Sequence, residues 1–88
     1  MITKEVTIRN NSIGTILPAA LQLKAEALHI TGTMKTDKFH TITLIASGPK
    51  KNLEQYIAWC ETAAMEHGAT LTLIRDRAFK AFYNFSRI

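Results

Sequence analysis

Two stretches of strong helical character, each headed by a proline, interrupt runs of alternating β-branched residues. This switching of period limits the folds open to the chain more than any other feature. Val6 and Ile8 alternate with Thr7 and Arg9, as a strand with one buried face requires. PAALQLKAEALH follows. Pro18 suits the first helical position, Ala20, Leu21, Ala27 and Leu28 recur on one side, and the helix is predicted to end near His29 or Ile30, before Gly32. TGTMKT and HTITLIAS are rich in Thr and Ile and flank the polar turn Asp37-Lys38, a hairpin pattern. A second helix is predicted from Pro49, carrying Leu53, Tyr56, Ile57, Cys60 and Ala64 at helical spacing, and it stops at Gly68, a good C-terminal cap. ATLTLIR reads as a fourth strand. KAFYNFSRI reads as a last extended segment, with alternate members of Phe79, Phe82, Tyr83 and Phe85 turned into the core. The order βαββαβ, with a short extra strand, places both helices on one face of an antiparallel sheet: an α/β (α+β) sandwich of the ferredoxin-like kind.

With 88 residues there is room for one such domain, residues 1–88, and no repeat or low-complexity linker divides it. Apolar residues make up 47%, enough for the chain to be ordered throughout. Cys60 is the only cysteine, so no intrachain disulfide can form, and its place on the apolar helical stripe marks a core thiol rather than a nucleophile. The segment MITKEVTIRN has no apolar export region, and the longest apolar runs fall far short of a membrane span. The expectation is a cytoplasmic protein without membrane contact, a monomer or weak dimer.

Chemistry concentrates in RNNSIGTILP, residues 9–18. A strand runs into a polar turn carrying Gly14, then into a proline-headed helix, the arrangement in which backbone amides and a helix N-terminus hold an anion. The candidate anion-binding loop is Ser12, Ile13, Gly14, Thr15, Ile16 and Leu17. The net charge of +4 biases the chain mildly toward such ligands, phosphate or another small anion. Arg9 and Lys35 are the nearest cations, but alternation turns Lys35 to the face opposite Thr36, and both read as solvated charges at strand ends. His29, His40 and His67 fit no short metal motif and read as surface residues, and Ser12 has no positioned base. No metal or cofactor is implied. The open sheet face should carry Thr7, Thr41, Thr43, Thr70 and Thr72. The absence of aromatics from VTIRN and TITLIAS argues against base stacking and so against nucleic acid.

These landmarks resemble the acylphosphatases, whose pattern runs G-x-V-Q-G-V-x-F-R in the first loop, then G-W-V-x-N before a turn, and later a Gly-Pro and a helical Trp. Aligned without gaps from the first strand to the second helix, Gly14 falls on the second loop glycine, Gly32 on the glycine before the second strand, Gly48-Pro49 on the Gly-Pro and Trp59 on the helical Trp. The ending YNFSRI is similar to the family's C-terminal strand. The resemblance implies an arginine that holds phosphate at the end of the loop and an asparagine that orients the attacking water after the second strand. Those positions are Pro18 and Thr36. Proline offers neither charge nor donor, and threonine lacks the amide's paired donor and acceptor. Asn10, Ser12, Ile13, Thr15 and Leu17 depart from the pattern as well. The resemblance therefore implies an acylphosphatase-like domain that has lost catalysis, a pseudoenzyme with a residual anion-binding loop. The alternatives are a divergent acylphosphatase that hydrolyses acyl phosphates, and an RNA- or protein-binding module that uses the sheet face or an edge strand.

Overall fold

The computed structural model describes residues 1–10 and 16–88. Its elements are β1 (Ile2–Asn10), α1 (Ile16–Ala27), β2 (Thr31–Thr36), β3 (Thr41–Gly48), α2 (Lys50–Glu66), β4 (Ala69–Arg77) and β5 (Phe85–Arg87). The sheet order is β4-β1-β3-β2-β5. β1 pairs antiparallel with β3 and β4, and β2 pairs antiparallel with β3. Register follows apolar alternation: Val6 lies opposite Leu44, Ile8 opposite Ile42 and Met34 opposite Leu44, so one buried row crosses three strands. The two helices pack on that row, which meets Leu17, Leu21 and Ala25 of α1 and Leu53, Tyr56, Cys60 and Ala64 of α2.

Five expectations need correction. The sheet is not wholly antiparallel, because the short β5 joins the outer edge of β2 in parallel. Helix α1 begins at Ile16, so Pro18 is its third residue rather than its first. Its missing N–H still lies in the first turn, where no intrahelical acceptor exists, and the ring is buried. The buried side of α1 is Leu17, Pro18, Leu21 and Ala25, whereas Ala27 is exposed. Of the C-terminal aromatics only Phe85 enters the core; Phe79 and Tyr83 face solvent. The chain between β4 and β5 is tied at its backbone instead: the Lys80 N–H donates to Thr3 Oγ1 (2.9 Å) and Ser47 Oγ donates to the Lys80 carbonyl (2.7 Å).

Helix α1 ends at Ala27, before the expected His29 or Ile30, and the reason is a Schellman cap. The His29 N–H reaches the Glu26 carbonyl (3.1 Å) and the Ile30 N–H reaches the Ala25 carbonyl (2.8 Å), with His29 at φ 58° where glycine is usual. Ile30 and Ala25 are both buried, the apolar contact that accompanies this cap. Just beyond, Gly32 has φ +149° and passes so close to β3 that an added Cβ would overlap the Ile45 carbonyl oxygen. Replacing Gly32 with Ala should therefore destabilise the domain by about 3 kcal/mol or more. Replacing His29 with Gly should stabilise it by up to about 1 kcal/mol through relief of the left-handed backbone. Urea unfolding of the two variants beside the parent checks both signs.

Candidate functional site

The sequence places the candidate site where β1 runs into α1. Ser12, Ile13, Gly14 and Thr15 lie outside the described residues. Of the same candidate loop, Ile16 and Leu17 are the first two residues of α1, Ile16 at 71% exposure and Leu17 buried in the core. Leu17, Pro18 and Leu21 anchor the start of the helix to the sheet. Pro18 therefore turns its ring inward and presents no donor. Thr36 ends β2 on the Met34 side of the strand, beyond the core, and is exposed. Lys35 points the other way, opposite Thr43, as alternation requires. Arg9 is exposed at the end of β1, opposite Thr41 on β3 and Thr70 on β4. Among the described residues no carboxylate lies within 4.0 Å of a cationic atom of Arg9.

Arg9, Phe39, Thr41 and Thr72 line a groove of about 410 Å³. Phe39 belongs to the β2–β3 turn, which Asp37 organises: its Oδ1 accepts from the Phe39 N–H (2.8 Å) and the Thr41 N–H (3.0 Å). His40, at φ 63°, completes the turn. Thr72 reaches the groove through a bulge, since the β1–β4 register shifts between Thr7 and Ile8, and its Oγ1 donates to the Thr7 carbonyl (3.2 Å). The sequence reading passed over Phe39, although a single large apolar residue in the polar turn DKFH was the available signal.

Ion pairs join β1 and β4 further along the sheet. On the open face Glu5 lies between Arg77 (2.6 Å) and Arg75 (3.5 Å). The Arg77 hydrogen bond, outweighing partial burial and aided by Arg75, holds the Glu5 carboxyl below its usual range. Lys4 pairs with Asp76 at 3.2 Å, in a second groove of about 360 Å³ that Lys50 and Arg77 also line. Among the described residues no three His, Cys, Asp or Glu side chains are grouped to hold a metal ion, and no helix is long and apolar enough to cross a membrane.

No protein-family model matches this sequence, and no curated protein matches it by sequence. Solved structures do. An acylphosphatase from Coxiella burnetii superposes with a TM-score of 0.80 at 19% identity, over 99% of this chain and 92% of that one. The acylphosphatase from Bacillus subtilis gives 0.73 at 16% identity, over 100% and 99%. Full-length HypF, in its phosphate- and nucleotide-bound form, gives 0.75 at 13% identity over 99% of this chain and 12% of that one. At such identities the likeness speaks to the fold, which is acylphosphatase-like.

Cys60 is fully buried, as its place on the stripe implied. Burial pushes its thiol up to about 12, against an ordinary value of 9.0, with a partial opposing effect from the neighbouring Tyr56 hydroxyl. The reacting species, the thiolate, is thereby suppressed in the folded protein. Folded protein at pH 8 should resist iodoacetamide and be labelled at Cys60 only in denaturant, with mass spectrometry as the readout. Rapid labelling of the folded protein would show an accessible thiolate.

Proposed function

We propose that this acylphosphatase-like domain does not hydrolyse acyl phosphates and acts as a small binding module, its segment of residues 12–17, which runs into the start of α1, retaining affinity for phosphate or another small anion. The observation that carries this reading is Pro18. Where the resemblance implies a phosphate-holding guanidinium, the chain has a ring buried in the first turn of α1, with no charge and no N–H. Thr36 adds to the loss, since a hydroxyl at an exposed strand end offers one rotor where an amide offers a separate donor and acceptor. Loss of one such electrostatic donor costs about 3 kcal/mol or more of transition-state stabilisation. A protein partner is the second reading. β4 forms one edge of the sheet with Leu73 and Ile74 part-exposed, which suits addition of a partner's strand.

The double change Pro18→Arg and Thr36→Asn tests the reading. The arginine stem can take the space of the proline ring and carry its charge outward, at a cost of about 1 kcal/mol in stability. Phosphate at about ten times its dissociation constant should then stabilise the double variant by about 1.4 kcal/mol, several degrees in melting temperature and more than in the parent. Detectable acyl-phosphate hydrolysis should accompany it. A variant that folds normally but gains neither phosphate stabilisation nor hydrolysis would contradict an inherited anion cradle.

A further inference from the structure

The groove of Arg9, Phe39, Thr41 and Thr72 brings together three features of a ligand site that nothing else in the fold requires. The first is a cation with no carboxylate within 4.0 Å among the described residues, at the end of the strand whose other face supplies Val6 and Ile8 to the core. The second is an aromatic ring at 72% exposure. An exposed phenyl group in a tight polar turn contributes nothing to the core, and the turn closes through Asp37 without needing it. The third is the Thr72 bulge, which displaces the β4 register and leaves a threonine on the groove wall across from Thr41.

We propose that this groove binds a planar aromatic ring that carries a phosphate or carboxylate. The anion pairs with the Arg9 guanidinium, which presents a planar fork of donors matched to two oxygens. The ring packs on Phe39, where offset or edge contact between aromatics is favourable. Thr41 supplies a hydroxyl beside the anion, while Thr72, whose hydroxyl proton is held by the Thr7 carbonyl, forms part of the wall. Lys38, whose Nζ lies 5.2 Å from the Phe39 ring centroid, adds a second positive charge at the rim. The Asp37 hydrogen bonds fix the turn before any ligand arrives, so little ordering cost falls on binding. At about 410 Å³ the groove is of the size that holds small molecules. This site does not rest on the reading of the loop of residues 12–17, which lies beyond the end of β1, and each can fail without the other.

Phenyl phosphate is the probe, with inorganic phosphate and phenol as its two halves. Titration into isotope-labelled protein, followed by backbone amide resonances, should perturb Arg9, Phe39, Thr41 and Thr72 and should show phenyl phosphate binding about tenfold or more tighter than either half. Arg9→Gln and Phe39→Ala should each weaken phenyl phosphate about tenfold, Phe39→Tyr should keep it, and Lys51→Gln, a matched loss of charge elsewhere, should leave it unchanged. Arg9 and Phe39 are both exposed, so the variants keep the fold, and their amide spectra verify it. Equal affinity for inorganic phosphate, perturbation confined to residues 11–17, or indifference to Arg9→Gln and Phe39→Ala would each overturn the proposal.

Discussion

The Tyr56 hydroxyl is buried and must find an acceptor, and the one it finds holds the helical layer together. It donates to the Leu21 carbonyl at 2.8 Å, from α2 to α1, while the ring packs edge-on against Phe85 of β5 with centroids 6.4 Å apart. Trp59 stacks alongside at the same spacing, and Lys24 of α1 lies over that indole. Both helices and the last strand therefore meet on one side chain that is fully shielded from water. Burial pushes the Tyr56 phenol far above its ordinary range, so the ring stays neutral and remains a donor wherever the fold exists. β5 depends on the same contact. Only three residues long, it is kept on β2 by Phe85 in the core and by the Gly32 N–H bonded to the Asn84 carbonyl at 2.9 Å.

Fixing α1 in this way also fixes where its first turn lies. Leu17, Pro18 and Leu21 share the buried side, so the residue at position 18 is oriented by core packing. A proline there is compatible with the helix and fills space. It supplies neither the charge nor the N–H that phosphate chemistry at a helix start draws upon. The packing that keeps an acylphosphatase-like fold is thus satisfied by a residue without charge or N–H, and the proposed loss of hydrolysis rests on this position together with Thr36.

Much of the architecture was legible because it is written in periodicity. Leu53, Tyr56, Ile57, Cys60 and Ala64 mark the buried side of α2, and the alternation of Val6 and Ile8 sets the core face of β1. What escaped has no period to show. A strand of three residues cannot display alternation, so the parallel pairing of β5 was hidden, and run-on alternation wrongly assigned its aromatic neighbours to the core. Pro18 resembled a first helical residue because proline is tolerated anywhere in the first turn, which concealed Ile16 and Leu17 as helix. The Thr72 bulge depends on the register between two strands far apart in sequence, and with Phe39 it forms a groove that no local pattern announces. On the site itself, the sequence named Pro18 and Thr36, and the structure adds that one is buried and the other exposed.

The central claim, a fold kept without its hydrolytic chemistry, is tested most directly by the rate at which the purified protein hydrolyses a simple aryl acyl phosphate at neutral pH, followed against buffer across a range of substrate concentrations. The account predicts a rate little above the spontaneous one, with no saturation. A saturable turnover of about 1 per second or more would contradict it.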